Sequence, residues 1–231
     1  MFSLSPEEQQ IIGLSLKVAA TATLFSLPPG VAIAYLLSRA DFPGKALLSG
    51  LIHLPLILPP VVTGYALLLL FGRSGPLGRL LEPMGIVFAF DWTGAALAAA
   101  VMGFPLLVRA VRLSFDMVDP RIEQAAETLG ARPVIRFLTI TLPLALPGVA
   151  AGAILGFAKA LGEFGATITF VASIPGETRT LPLAIYSLIQ IPDGESALLR
   201  LILISVGVSI GALVLSEWGA RAVERRVGGR R

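Results

Sequence analysis

Long apolar blocks constrain this chain more than any other feature of its sequence. Of its 231 residues 55% are hydrophobic and 14% are charged. The apolar residues form continuous stretches, so hydrocarbon is the expected solvent. Five blocks are long enough to cross a bilayer, at about residues 11–37, 46–71, 93–108, 144–164 and 198–218. The sequence therefore predicts an all-α integral membrane protein with one transmembrane domain over residues 1–231.

Prolines interrupt the first two blocks, which contain Pro28-Pro29 and Pro55, Pro59 and Pro60. Proline inside a helix removes a backbone hydrogen bond and bends the helix, so we expect kinked or tilted spans that line a cavity. The segment before the first block is acidic and lacks a basic region. We therefore expect the first block to remain as a membrane anchor, and not to be a cleaved signal peptide.

Basic residues are concentrated in alternate loops, and this bias predicts the orientation. Twelve of the 18 would be cytoplasmic: Arg39, Lys45, Arg109, Arg112, Arg121, Arg132, Arg136, Arg221, Arg225, Arg226, Arg230 and Arg231. The other loops contain only Arg73, Arg79, Arg179 and Arg200. Five spans then place the N-terminus outside and the C-terminus inside. Cationic inner loops beside anionic lipid headgroups account for the formal charge of +3 without a nucleic-acid partner.

A polar insert lies between the third and fourth blocks, within a loop predicted over about residues 114–143. Carboxylates such as Glu123 and the nearby arginines would be costly in hydrocarbon, so we expect this loop on an aqueous face. Asp119 is suited to an N-cap, Pro120 to the first helical position and Gly130 to a C-terminal stop, which together predict a short helix.

The predicted short helix has one apolar face of small residues. The i, i+3, i+4, i+7 spacing that defines this face is made by Ile122, Ala125, Ala126 and Leu129. Such a face is suited to close contact with a partner protein. The simpler alternative is a loop helix that packs only on its own bundle.

The sequence does not favour catalysis by this chain. It has no Cys and a single histidine, His53, which has no second metal ligand nearby in the sequence and is better explained by packing. The stretch GVSIG at residues 207–211 lies inside a predicted span without a histidine base, and no phosphate-binding loop is found. We expect no metal site, no cofactor and no ATP hydrolysis by this chain. An intramembrane enzyme would need paired carboxylates, and only Glu163 approaches that condition.

Glycines recur at four-residue spacing in the last two spans. Gly207 and Gly211 have the small-xxx-small spacing that lets helices approach closely, as do Gly148, Gly152 and Gly156 in the fourth span.

A second polar region lies at the predicted outer end of the fourth span. Lys159 and Glu163 are spaced i, i+4 and can pair. Ionisable residues in a membrane segment indicate a pathway or gate, while a structural ion pair at the interface is the equal alternative. Residues 164–172 and 181–191 are too short to span, so we expect a hairpin or re-entrant element in an outer region over about residues 165–197.

The insert has spacing that resembles the cytoplasmic loop of ABC importer permeases. The match comprises Ala125, Ala126, Gly130, Ile140, Leu142 and Pro143. One position departs from the family pattern, because Gln124 stands where a glutamate is usual and Glu123 precedes it. The resemblance implies that this segment is the coupling helix that contacts an ATPase subunit.

Three further stretches resemble the permeases of bacterial molybdate importers. They are HLPLILPPVVTGY at 53–65, GEFGATITF at 162–170 and IPGETRTLPLAIYSLIQ at 174–190. The resemblance implies a type I ABC importer permease fold with five transmembrane helices and a cytoplasmic coupling helix. It also implies a homodimer in the bacterial inner membrane, with ATP-Mg bound by cytoplasmic ATP-binding subunits and a periplasmic binding protein delivering molybdate or tungstate.

The resemblance also implies roles for particular residues. ATPase coupling falls to Glu123, Gln124, Ala125, Ala126, Leu129 and Gly130. A path or gate for a doubly charged anion needs donors and little negative charge, and its candidates are Lys159, Glu163, Thr167, Thr169, Thr63 and Lys17. A permease for sulfate or thiosulfate is one alternative function. A secondary transporter is another, although an odd number of spans and no visible repeat count against it.

Overall fold

The structure is a computed structural model that describes residues 4–191 and 195–228, with the side chains of Ser216 and residues 219–228 excepted. All regular structure in these residues is helical. The helices are α1 Pro6–Arg39, α2 Lys45–Ile57, α3 Pro60–Phe71, α4 Pro76–Leu81, α5 Trp92–Met117, α6 Pro120–Thr128, α7 Pro133–Arg136, α8 Leu142–Leu161, α9 Gly165–Val171, α10 Leu181–Ile189 and α11 Glu195–Gly228.

Helix α5 is the centre of the bundle, and it packs against α1, α2, α8 and α9. Small residues allow these close approaches. A Cβ added at Gly30 of α1 would lie 2.3 Å from the Leu107 side chain of α5, and one at Gly148 of α8 would lie 2.1 Å from Ser114. The α8 glycines therefore make the close contact that their spacing predicts. Gly207 and Gly211 do not, because a Cβ at either would meet no atom within 4 Å among the described residues.

The second predicted span is broken into α2 and α3, which are bent by 113° relative to each other. Leu58 and Pro59 at the break are extended, with ψ of 145° and 132°. The two consecutive prolines explain the break, because each disfavours helical backbone at the residue before it and neither has an N–H to donate. By contrast, α1 remains one helix through Pro28 and Pro29.

Ion pairs mark the two ends of the bundle. At one end Glu7 and Glu8 of α1 pair with Arg179 and Arg200. At the other end Arg39 of α1 pairs with Glu123 of α6. Helix α1 therefore runs from one end to the other, and α6 lies at the end where α1 finishes.

The bent pair α2–α3 connects the two ends of the bundle. Phe42 and Leu48, at the start of α2, pack in the core cluster that contains Leu37 and Phe115. At the C-terminal end of α3, the Phe71 ring contacts the ring of Phe88, a residue that lies just before α5. Among the described residues four continuous helices are long and apolar enough to cross a membrane, and the number is five if the bent pair is counted as one broken span.

The fourth span begins earlier than the apolar pattern predicts. The continuous helical run starts at Pro133, passes through a π-helical turn at Phe137–Thr141 and ends at Leu161. The polar loop is correspondingly shorter than residues 114–143. Beyond this span α9 and α10 are the two short helices that the sequence predicts in the outer region. Residues 192–194 of that region, and the tail residues Arg230 and Arg231, lie outside the described residues.

Candidate coupling helix and gate

Helix α6 has the ends that its sequence predicts. The Asp119 side chain accepts a hydrogen bond from Arg121 N at 2.9 Å, and Pro120 occupies the first turn. After the helix, Gly130 adopts a φ of +85°, a conformation that is unfavourable for residues with a Cβ. Ala131 N then donates to Ala126 O at 3.0 Å and closes the turn.

The Glu123 carboxylate is the best-connected polar group of α6. Its Oε1 accepts from Arg39 Nη2 at 3.0 Å, from Arg39 Nε at 3.2 Å and from Thr141 Oγ1 at 3.0 Å. Arg39 Nη2 also donates to Val118 O at 2.8 Å. The side chains of Arg39 and Glu123 are only 18% and 10% exposed. Glu123 therefore points into the bundle while most of α6 is exposed, and arginine and threonine donors compensate the burial of its carboxylate.

In the sequence Arg39 contributes only to the charge bias of the loops, and nothing there indicates a role for Thr141. They lie 84 and 18 residues from Glu123 along the chain. Only the packing of three helices brings them together, so no local spacing could have indicated the contact.

The apolar face of α6 is divided between the chain and its surroundings. Ala126 is buried against the bundle, whereas Ile122 and Leu129 are 45% and 88% exposed. Gln124 and Ala125 are also exposed. Of the predicted coupling residues, Gln124, Ala125 and Leu129 can therefore meet a partner, while Glu123 and Ala126 hold the helix in place.

A second contact braces the turn that follows α6. Arg136 Nη1 lies 2.7 Å from Glu127 Oε2 and bridges the two sides of the Gly130 turn. Because Arg136 belongs to the helical run that becomes α8, this ion pair joins α6 to the fourth span.

The Lys159–Glu163 pair forms as the spacing predicts. Lys159 Nζ lies 2.7 Å from Glu163 Oε2, and the Glu163 side chain is only 1% exposed. The other oxygen, Oε1, accepts from Ala166 N at 3.1 Å in the first turn of α9. Glu163 lies just beyond α8, which ends at Leu161. Its carboxylate therefore connects the last turn of α8 to the start of α9.

Helix α9 packs against α3 with almost no space between their backbones. A Cβ added at Gly64 of α3 would lie 2.4 Å from Ala166 O, and one at Gly165 would lie 2.6 Å from Pro60 Cβ. Three of the six predicted path residues belong to these two helices. Thr63 and Thr167 are buried beside it, and Thr63 Oγ1 has no hydrogen-bond partner among the described residues. Thr169 Oγ1 donates to Gly165 O at 3.0 Å within α9.

Lys17 has a different partner from the other predicted path residues. Its Nζ lies 3.4 Å from the centroid of the Trp92 ring at the start of α5, a cation–π contact. His53 Nδ1 lies 2.7 Å from Ser49 O in its own helix. No cluster of three or more metal-ligating side chains occurs in the described ranges 4–191 and 195–228.

Comparison with known sequences identifies relatives over nearly the whole chain. Residues 26–229 match the family model described as binding-protein-dependent transport system inner membrane component. The molybdenum transport system permease protein ModB of Escherichia coli K12 is 58% identical over 97% of this chain and 99% of its own. The Haemophilus influenzae protein of that name is 53% identical over 96% and 97%. A sulfate transport system permease protein of Synechococcus elongatus is 38% identical over 90% and 72%.

Solved structures share the fold at low sequence identity. The structure of a bacterial alginate ABC transporter, in complex with an alginate pentasaccharide-bound periplasmic protein, contains a chain that superposes with a TM-score of 0.71. That match covers 96% of this chain and 80% of the alginate chain at 17% identity. The architecture of an ABC importer permease therefore accommodates this sequence.

Proposed function

The chain belongs to the family of binding-protein-dependent transport system inner membrane components, and we propose that it is the permease subunit of an importer of molybdate. The observation that carries this proposal is its similarity to molybdenum transport permeases over nearly the full length of both chains. The sulfate permease is a more distant relative, which favours molybdate over the sulfate alternative. Tungstate is included as a possible substrate, because it is a tetrahedral dianion like molybdate.

The segment GETRTLPLAIY, which resembles the molybdate branch, supports the outer region mechanically. Thr178 is fully buried, accepts from Ile174 N at 2.9 Å and donates to Ala172 O at 3.0 Å. Leu181 N donates to Ser15 Oγ of α1 at 2.7 Å. These contacts fix the turn between α9 and α10 against the first span. The segment therefore shapes the outer mouth, and a periplasmic binding protein would supply most of the anion selectivity.

The exposed face of α6 is the proposed docking site for a cytoplasmic ATP-binding subunit. Ile122, Ala125 and Leu129 present apolar surface there, and Gln124 presents an amide where related loops carry a carboxylate. Several exposed apolar side chains on one face of an otherwise polar loop indicate a protein contact surface. The partner subunit would bind and hydrolyse ATP-Mg, and this chain would change conformation in response without catalysing the hydrolysis.

The anion path is proposed to lie between two copies of the chain. Glu163, Thr167 and Thr63 are buried within a single copy, so they line no open passage in this conformation. ATP-driven closure of the ATPase subunits would displace α6, rock the spans and separate the contacts around α9. The orientation that serves this cycle has α6 in the cytoplasm, the N-terminus outside and the C-terminus inside.

Reconstitution tests the proposed function directly. The chain is purified with a candidate ATP-binding subunit from the same organism and placed in lipid vesicles with a molybdate-binding protein. We expect ATP-dependent molybdate uptake that requires the binding protein, with tungstate but not sulfate as an effective competitor. Uptake of sulfate in preference to molybdate, or uptake without the ATP-binding subunit, would contradict the proposal.

A further inference from the structure

We infer that Arg39 is a positioning residue for coupling, because it ties the cytoplasmic end of α1 to α6 through the Glu123 carboxylate. This inference rests on the proposed function. In this role the Arg39–Glu123 ion pair would make α1 move together with α6, the helix that the ATP-binding subunit displaces.

Helix α6 is linked covalently to two spans of the bundle. The chain joins α6 directly to α5 through Val118 and Asp119, and to α8 through residues 129–132. Helix α1 has no such link, because 84 residues separate Arg39 from Glu123. The ion pair is therefore a non-covalent connection across the cytoplasmic end of the bundle.

One oxygen of the Glu123 carboxylate accepts hydrogen bonds from groups of two spans. Glu123 Oε1 accepts both Arg39 donors from α1, and it accepts Thr141 Oγ1 from the π-helical turn that leads into α8. Through its second contact, to Val118 O, Arg39 also holds the end of α5. A displacement of Glu123 would thus act on α1, α5 and α8 together.

The guanidinium group of Arg39 suits this role better than a lysine ammonium group would. A planar guanidinium can donate to a carboxylate and a carbonyl at once in fixed directions, whereas an ammonium group acts as a point charge. Both side chains are largely shielded from water, so the pair is less screened than an exposed one. Breaking it during the cycle would leave a buried carboxylate without its cation, which favours joint movement of the two helices.

The test separates coupling from folding by measuring molybdate taken up per ATP hydrolysed. Wild type, Arg39→Met and the double variant Arg39→Met with Glu123→Gln are compared in vesicles containing the ATP-binding subunit and the molybdate-binding protein. Arg39→Met should be poorly abundant, because it leaves the buried Glu123 charge uncompensated. The double variant should reach wild-type abundance and hydrolyse ATP, yet its uptake per ATP should fall by about fivefold or more.

The matched control is the exposed pair at the same end of the molecule, Lys45 and Asp41, which lie 2.9 Å apart. Lys45→Met with Asp41→Asn should leave uptake per ATP unchanged. If the double variant at Arg39 and Glu123 imports as much molybdate per ATP as wild type, the inference is wrong. Should that variant be absent from membranes, Arg39→Lys is measured in its place, because it keeps the positive charge but cannot donate to Glu123 and to Val118 O at once in fixed directions, and its uptake per ATP should also fall. Failure of the wild-type vesicles to import molybdate would instead refute the proposed function.

Discussion

Glu163 is a carboxylate with almost no exposure to water, and its environment contains the two donors that such burial requires. Lys159 supplies a charge at 2.7 Å and Ala166 N supplies a backbone hydrogen bond at 3.1 Å. Removing one partner of a buried ion pair leaves the other poorly solvated, which costs more than removing both. The pair therefore stabilises the position of the first turn of α9 against the last turn of α8.

The first prediction compares single and double removal of this pair. Glu163→Gln should impair molybdate uptake more than the double variant Glu163→Gln with Lys159→Met. Only the single variant leaves the Lys159 ammonium group without its carboxylate partner. Uptake is measured in vesicles at equal membrane abundance. Additive losses would show that the residues do not act as a pair, and a double variant at least as defective as either single one would indicate that Lys159 meets the anion directly.

A second prediction concerns the backbone contact between α3 and α9. Gly64→Ala would place a Cβ 2.4 Å from Ala166 O, so the helices must move apart. We expect this change to destabilise the protein by about 1–3 kcal/mol and to lower its melting temperature. Gly50→Ala in α2 is the matched control, because among the described residues no atom outside its own helix lies within 4 Å of its Cβ position. Equal melting temperatures for the two variants would contradict the tight α3–α9 contact.

At the scale of elements, α6 shows which parts of a membrane protein can be predicted from its sequence. Its ends depend on local chemistry, namely the Asp119 cap, Pro120 and the positive φ of Gly130, and the structure has all three. The inward direction of Glu123 depends on Arg39, which is remote in sequence. The short helix could therefore be predicted, but not which of its faces meets the bundle.

The same distinction applies to the transmembrane helices. Pro59 and Pro60 indicate a bend because their effect is local, although the angle of 113° depends on where α9 packs. The spacing of Gly207 and Gly211 predicts close packing, yet a Cβ at either position would meet no neighbour within 4 Å among the described residues. A small-residue pattern indicates that close approach is sterically allowed, but it does not identify the partner.

The third prediction concerns the turn after α6. Gly130→Val should leave the protein in the membrane but abolish molybdate uptake and weaken its association with the ATP-binding subunit, because a β-branched residue adopts positive φ poorly. Gly130→Asn is the matched control, since asparagine tolerates this conformation, and it should retain most activity. Co-purification and uptake measure the two effects. Wild-type uptake by Gly130→Val would refute the role of this turn in coupling.

At the scale of the whole molecule, the ion pairs at the two ends agree with the charge bias of the loops. Arg179 and Arg200, predicted outside, contact the start of α1, whereas Arg39 and Arg136, predicted inside, contact α6. The packing thus sorts these arginines into the same two groups as the positive-inside rule. Labelling from one side of the membrane measures which of these two ends faces the cytoplasm.

The fourth prediction uses the absence of cysteine from the sequence. Single cysteines at Glu177 and at Asp41, both exposed and near opposite ends, can each be labelled without background. In intact cells a membrane-impermeant thiol reagent should label Glu177→Cys, and Asp41→Cys should react only after the membrane is opened. The reverse pattern would overturn the proposed orientation.

The 84 residues between Arg39 and Glu123 also set a delay during biosynthesis. At about 5–20 residues per second, Glu123 leaves the ribosome roughly 4–17 s after Arg39. Throughout that interval the nascent first helix carries a guanidinium without its final carboxylate, at the end of the helix where water can solvate it. The first helix is thus fully synthesised before the contact can form. Closure of this end of the bundle is a late event that follows synthesis of α5 and α6, and a chain truncated before residue 123 would lack the contact.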